Sequence, residues 1–429
     1  MSDLAGGSLD KKRAMQKAIQ KLMAPAALVI LYFFFGLFGR NFFSYNTFVN
    51  IVDASYYIGF ISIGVTFVII SGGIDLSVGA VMMCAAIIGG TAYKSWGWSM
   101  EASLLLIILV AVLFGIFNGM MVSRIGMPPF IVTLGTMMIS MGVGSIVSNV
   151  RSATFPTRSE ADGWFKGIFK LITENRIPIP TGAIVLLAVV IISHIILTKT
   201  KMGRYIFAIG SNKEAARLSG VNVRRWEMMA YVIAGIYAGI GGIAFAATYT
   251  TVMPAQGQGF ELFAIAGAVI GGTSLSGGVG SVWGTLIGVF IMSVLSVGLP
   301  SMDLQAHYQT FFTGVVVIGA VLLDMYRTKK ATEVKIFTPA DQYRNSILEK
   351  IDNLKAQRAR AKKAGKSEEA AKLTEELKEA KREMKATYKK MKAEEKKAEE
   401  RRKAEERASE REFQDMLRKD RQSENSDNE

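Results

Sequence analysis

The chain alternates between long apolar runs and short polar interruptions. A membrane span needs about 20 mostly apolar residues to cross roughly 30 Å of hydrocarbon. Ten runs are candidates: 24–39, 50–70, 78–93, 101–122, 129–149, 181–198, 227–249, 260–272, 279–299 and 307–326. The first, third and eighth are short. A soluble fold has no place for so many segments that are apolar all round, because each helix there buries one face. The pattern predicts an all-α polytopic membrane protein of about ten transmembrane helices, including broken or short ones. It divides the chain into an N-terminal segment 1–23, a membrane domain 24–326 and a tail 331–429. The first apolar run has no signal-cleavage pattern after it and is read as a retained helix.

Polarity changes abruptly near Asp324. Residues 331–429 carry 27 Lys and Arg against 23 Asp and Glu. Ile347, Ile351 and Leu354 recur at heptad-like spacing, as do Leu373, Leu377, Ala380, Met384 and Met391. Ala364-Gly365 lies between the two seams, and Ser367, followed by Glu368 and Glu369, is a good N-cap. The tail is therefore predicted to be a charged helical hairpin or coiled coil, losing its seam beyond about Ala398 and disordered over RQSENSDNE. Its near-balanced charge and sparse aromatics argue against a nucleic-acid partner. GKS at 365–367 is not a phosphate loop, since that pattern needs glycine where Arg360 stands and a strand before it.

Charge orients the spans. With the N-terminus in the cytoplasm, inner segments hold sixteen Lys and Arg and outer segments seven. The positive-inside rule then places both termini, and the tail, in the cytoplasm. A single cysteine, Cys84, and two histidines, His194 and His307, argue against a disulfide framework, a metal centre or histidine acid–base chemistry. The seven Lys and Arg over 199–225 also read as a basic cytoplasmic loop held to lipid headgroups.

Two polar interruptions stand out. The first, SGGIDLSVG at 71–79, has apolar runs on both sides. It reads equally as a tight turn, with Gly72 and Gly73 ending one helix and Asp75 or Ser77 capping the next, or as a break beside a polar path. An Asp in the hydrocarbon costs roughly 2.5–3.5 kcal/mol on insertion scales, so it should face a partner, a cavity or water. The second, GGTSLSGGVG at 271–280, repeats the first and indicates an internal duplication, with Gly271, Gly272, Ser274 and Ser276 in corresponding places. The span count puts both on the cytoplasmic side, as parallel repeats; one miscounted short span would make them inverted. Asn118, in the fourth span, is a further candidate for the path. Small-xxx-small pairs (Gly115/Gly119, Gly235/Gly239, Gly267/Gly271 and Gly284/Gly288) mark close helix contacts.

Between spans six and seven lies MGRYIFAIGSNKEAARLSGV. Ser211 or Asn212 caps a short helix with Glu214 in its first turn, and Gly220 ends it. Ala215, Ala216, Leu218 and Val221 give it a modest apolar face, suited to docking a partner.

GGIDLSVGA, FNGMMVSRIGMPPFIVTLGTM, MGRYIFAIGSNKEAARLSGV, QGFELFAIAGAVIGGTSLSGGVGSVWGTLIG and the closing VLLD, in this order between about 50 and 325, resemble the ribose/galactose/xylose-type permeases of bacterial ABC importers. The resemblance implies a permease subunit in the bacterial inner membrane that works as a dimer, of identical or different subunits. It implies a cytoplasmic ATPase partner that binds ATP and Mg²⁺, and an extracytoplasmic sugar-binding protein. It makes Glu214, Ala215, Ala216, Arg217, Leu218, Ser219 and Gly220 the coupling helix that sits on the ATPase. It also places GGIDLSVG beside the translocation path. The chain departs from the family at AHYQ, Ala306 to Gln309, where an aromatic PYWQ pattern is common, and in a long outer loop over 150–180. The resemblance does not cover the tail.

The expected function is import of a monosaccharide, energised by a separate ATPase, with a nucleoside or another sugar-like solute as the alternative. The chain itself is expected to be neither an enzyme nor a holder of cofactors. An ion-driven secondary transporter would need more buried carboxylates than the nearly solitary Asp75, and no docking helix.

Overall fold

The computed structural model describes residues 6–332, 339–364 and 366–426. Gly365, between the two tail seams, and the last three residues of RQSENSDNE lie outside the described residues.

The helices are α1 (Gly6–Phe38), α2 (Tyr45–Ile70), α3 (Val78–Trp96), α4 (Met100–Met120), α5 (Pro129–Val147), α6 (Lys166–Phe169), α7 (Gly182–Lys199), α8 (Lys201–Ser211), α9 (Lys213–Leu218), α10 (Val223–Tyr249), α11 (Phe260–Ile270), α12 (Val282–Ser301), α13 (Ala306–Thr332), α14 (Pro339–Lys363) and α15 (Ser367–Ser426). Four two-residue strands are β1 (Ala153–Thr154), β2 (Leu171–Ile172), β3 (Pro178–Ile179) and β4 (Thr251–Val252). β1 pairs with β4 and β2 with β3, both antiparallel. The chain divides into two compact units, Lys17–Thr332 and the pair Met1–Gln16 with Glu333–Glu429.

Seven helices of the first unit are long and apolar enough to cross a membrane. Shorter apolar helices cover Leu22–Phe38, Phe260–Ile270 and Thr310–Tyr326. Each of the ten predicted spans thus falls on an apolar helix. The third, expected to be short, extends to Trp96.

α2 is the hub. Ser44 starts it by accepting the Thr47 N–H at 3.2 Å. Its apolar window is wholly buried, packed among α7, α10, α11 and α12. This is what apolarity on every side requires. α4, α5 and α7 are apolar all round as well, yet are only one-third buried. Their outer faces show residues such as Leu105, Leu109, Ile139 and Ile192, the surface lipid would cover.

The glycine pairs are contacts. α4 crosses α10 with Gly115 against Gly235, where an added β-carbon on either would stand 3.1 Å from the other's Cα. α11 lies on α12 with Gly267 facing Gly288 and Gly271 facing Gly284, so closely that a β-carbon at 284 or 288 would strike the opposite carbonyl. Backbones approach this closely only without side chains.

In the second unit α14 and α15 pack antiparallel. The Ala340 N–H donates to Glu395 at 2.8 Å, and the Arg344 guanidinium lies 5.4 Å from the centre of the Tyr388 ring. Ile351, Leu377 and Ala380 of the predicted seams are buried. Outward ion pairs such as Asp352–Lys355 and Glu375–Lys378 add about 0.2–0.5 kcal/mol each. α15 is helical through Arg421–Ser426. A Lys/Glu-rich sequence has high helix propensity and continues a helix already nucleated by packing.

Candidate functional site

The two glycine-rich interruptions adopt the same cap. Ser71 and Gly271 are the C-cap residues of α2 and α11. Gly72 and Gly272 follow in the left-handed region, at φ 86° and 96°. The next N–H groups, of Gly73 and Thr273, reach back five residues to the Val68 and Ala268 carbonyls, both at 3.0 Å. Glycine suits this closure because a β-carbon penalises positive φ.

The turn beyond the cap is matched too. The Asp75 carboxylate accepts the Ser77 N–H at 2.9 Å and its hydroxyl at 2.6 Å. In the second interruption Ser274 Oγ accepts the Ser276 N–H at 3.4 Å. The two interruptions also touch, since the Gly278 N–H donates to the Ile70 carbonyl at 2.9 Å. Both therefore meet at one junction. Ser77 precedes α3, but its side chain makes no cap bond, and the Asp75 carboxylate serves Ser77 itself. The expected N-cap by either side chain is thus replaced by an Asx turn.

Asp75, Ser77 and Asn118 are brought together. Asn118 Nδ2 donates to Ser77 Oγ at 2.8 Å, and Thr136 Oγ1 donates to Asn118 Oδ1 at 2.6 Å. This buried chain joins α5 and α4 to the first interruption. The cavity beside it is about 10 Å³, room for one water at most. Ser274 and Ser276 lie in the other interruption, where the carboxylate comes from α13. Asp324 Oδ2 accepts the Ser274 hydroxyl at 3.2 Å and the Leu275 N–H at 3.0 Å.

A third backbone completes the junction. Gly210, near the end of α8, sits where a β-carbon would strike the Ile70 carbonyl and lie 2.5 Å from the Gly278 nitrogen. A β-carbon at Gly277 would stand 3.1 Å from both the Gly210 and Gly72 Cα atoms. α9 follows at once. Asn212 Oδ1 caps it by accepting the Ala215 N–H at 2.9 Å, and Glu214 pairs with Arg217 at 2.6 Å. Ser219 is its C-cap residue, and Gly220 turns the chain at φ 82°. The predicted apolar face is split. Ala216 packs inward with Ile209 and Val223, whereas Ala215 is exposed and Leu218 is 83% exposed.

Away from this junction, a cavity of about 480 Å³ opens between α2, α10, α11 and α12. Five rings frame it, those of Tyr57, Phe245, Tyr249, Phe260 and Phe263. Phe245 and Tyr249 stack at 4.6 Å between centres, and Tyr57 and Phe260 meet edge-on at 5.5 Å. The Tyr57 and Tyr249 hydroxyls are 3.4 Å apart. Thr251, Gln256 and Ser296 supply further polar groups, and none of the lining side chains is charged.

The loop over 150–180 grips both walls of this cavity. β1 pairs with β4, and Lys166 Nζ donates to Thr250 Oγ1 at 2.7 Å, next to Tyr249. Lys170 pairs with buried Asp53 on α2, one turn from Tyr57.

Asp75 is not as solitary as expected: Asp53, Glu227 and Glu261 are buried as well. Each has a partner. Glu227 pairs with Lys213 at 2.9 Å, and the Glu261 carboxylate accepts the Gly259 N–H at 2.9 Å. Among the described residues no group of three His, Cys, Asp or Glu could hold a metal ion.

The family model described as "Branched-chain amino acid transport system / permease component" matches residues 47–321. The chain is 34% identical over 302 residues to the ribose import permease protein RbsC of Escherichia coli (strain K12), covering 70% of this chain and 91% of that one. It is 32% identical over 340 residues to the fructose import permease protein FrcC of Rhizobium meliloti, covering 77% and 94%. It is 32% identical over 301 residues to the D-allose transport system permease protein AlsC of Escherichia coli (strain K12), covering 70% and 90%. No solved structure gives a match.

Proposed function

This chain belongs to the family of transport-system permease components, as a polytopic α-helical membrane protein, and on that premise we propose that it is the membrane subunit of an ATP-driven importer of a monosaccharide. The uncharged aromatic cavity carries the choice of solute. An amino acid arrives as a zwitterion, and burying its ammonium and carboxylate without partners costs several kcal/mol or more. The cavity at Tyr57 and Tyr249 offers no charge to either group. It offers ring faces for the C–H surfaces of a sugar, and the Tyr57 and Tyr249 hydroxyls, Thr251, Gln256 and Ser296 for its hydroxyls. The relatives named for ribose, fructose and allose point the same way.

In this reading ten helices cross the bacterial inner membrane, with both termini and the tail in the cytoplasm. The excess of Lys and Arg on inner segments supports that orientation. The ATP and Mg²⁺ belong to a cytoplasmic ATPase, and this chain has no nucleotide site of its own. The ATPase docks on the coupling helix 214–220, whose Leu218 and Ala215 are exposed among polar side chains. A second permease subunit faces this one, and a sugar-binding protein delivers solute at the outer loop. The residues from Gly72 to Ser77 and from Gly271 to Ser276, with Asn118, form a closed gate at the inner end of the path. ATP can drive the gate only if α9 contacts differ between the two states of the ATPase. The tail pairs as a coiled coil and adds a cytoplasmic contact surface.

The test is uptake by proteoliposomes holding the assembled complex. Labelled ribose, fructose and allose are compared with leucine, with ATP inside. ATP-dependent uptake of one sugar but not leucine, weakened by Tyr249→Ala through a higher KM, is the expected result. Leucine uptake, or sugar uptake on an ion gradient without ATP, would overturn the proposal.

A further inference from the structure

The two interruptions share a cap and a GG-x-[DS]-L-S motif, but the first has one more residue between cap and turn and carries an acid in that turn. The first carries Asp75 within its own turn, where it accepts from Ser77. The second has Ser274 at the matching motif position. A serine hydroxyl fixes such a turn more weakly than a carboxylate, since bonds to a charged acceptor are the stronger ones. The Ser274–Ser276 contact is accordingly longer, 3.4 Å against 2.9 Å between Asp75 and Ser77. The missing carboxylate arrives from another helix, because Asp324 of α13 accepts both the Ser274 hydroxyl and the Leu275 N–H through one oxygen.

We propose that Asp324 is the positioning carboxylate of the second interruption, doing in trans along the chain what Asp75 does within its own turn. Three observations meet here. The caps preceding both turns are the same, bond for bond. The acid is absent from the second turn and present at its side. The segment so held, 271–281, is the one whose Gly278 N–H meets Ile70 and whose Gly277 abuts Gly210. Asp324 therefore sets the conformation of the segment on which the α8–α9 element rests. It also ties that segment to α13, the helix that leads toward the tail. Displacement of α13 at its Asp324 turn would withdraw two bonds from the second interruption and none from the first. The structural role stands on these bonds alone, whereas its effect on transport rests on the importer reading.

The test moves the acid. Asp324→Ala removes it, and Asp324→Ala with Ser274→Asp restores it at the motif position that Asp75 holds in the first interruption. Hydrogen exchange of the full-length protein in detergent reads peptides covering 271–281 and 71–79. Asp324→Ala should raise exchange in 271–281 by about tenfold or more, as expected for a lost bond to a charged acceptor, and leave 71–79 unchanged. The double variant should return 271–281 to within about threefold of the native rate. In vesicles carrying the assembled complex, sugar imported per ATP should fall in the single variant and recover in the double. Unchanged exchange in the single variant would overturn the proposal. So would a double variant that remains as open as the single one. Should Asp324→Ala not fold, Asp324→Asn keeps the acceptor without the charge; exchange equal to native in that variant would overturn a carboxylate role. Exchange is read without ATP or sugar, so absence of transport by the native protein would count against the importer reading alone.

Discussion

Gly210→Ala should uncouple this protein. The added methyl would strike the Ile70 carbonyl and lie 2.5 Å from the Gly278 nitrogen, both of them backbone atoms. Neither can rotate away, so α8 or the second interruption must shift. Overpacking of this kind costs about 1–3 kcal/mol. Any shift that breaks the 2.9 Å bond from Gly278 to Ile70 leaves a donor unmet in a packed junction, at about 1–3 kcal/mol more. Coupling between sites is itself typically about 1–3 kcal/mol, so the perturbation matches the signal it disturbs. Since about 1.4 kcal/mol is a factor of ten, uptake should fall at least tenfold. Basal ATP hydrolysis by the assembled complex should persist, and its stimulation by sugar-loaded binding protein should be lost. Gly135→Ala supplies the control, because a β-carbon there meets nothing within 4 Å. If Gly210→Ala transports and couples like Gly135→Ala, the junction transmits nothing and the reasoning fails.

The loop over 150–180 yields two further predictions. Asp53→Asn or Lys170→Met should loosen the loop from α2, raising proteolysis within 150–180 and lowering uptake several-fold, while the reversed pair Asp53→Lys with Lys170→Asp recovers part of both. Full uptake in both single variants would show that the loop does not set the cavity wall. Glu160 accepts the Thr157 N–H at 3.0 Å and its hydroxyl at 2.7 Å, and the backbone bond foremost holds its carboxyl below the usual range. A depressed carboxylate stabilises its turn above the ordinary carboxylate range and loses that contribution as pH falls through the lowered value. Exchange of the 155–165 segment, measured relative to the intrinsic amide rate at each pH, should therefore rise on acidification in the native protein and stay constant in Glu160→Gln.

The membrane architecture was legible because hydropathy is a local signal. Each apolar run became an apolar helix, and the glycine pairs became crossings because only small residues allow backbones so close. α9 was legible from Asn212, Glu214 and Gly220, whose roles as cap, first-turn acid and terminator are local as well. Its exposed side was not, since Ala216 and Leu218 look alike until Ile209 and Val223 claim one of them. Asp324 went unassigned for the same reason: it meets Ser274 and Leu275 across the bundle, about fifty residues away in sequence. The aromatic cavity draws on four helices and the loop after β4, so no single stretch announces it. Asp53 sits inside an apolar run, and only the folded loop over 150–180 reveals its partner Lys170.

The most direct measurement purifies the native protein and Glu214→Lys from membranes and follows what comes with each. Glu214 pairs with Arg217 on the exposed face of α9, so lysine there breaks the pair and turns a neutral site strongly positive without touching the spans. The account predicts that native protein brings an ATPase whose activity rises with sugar-loaded binding protein, and that Glu214→Lys, equally well folded, loses both the ATPase and ATP-driven uptake. An intact native protein that brings no ATPase and moves sugar on an ion gradient alone would contradict it.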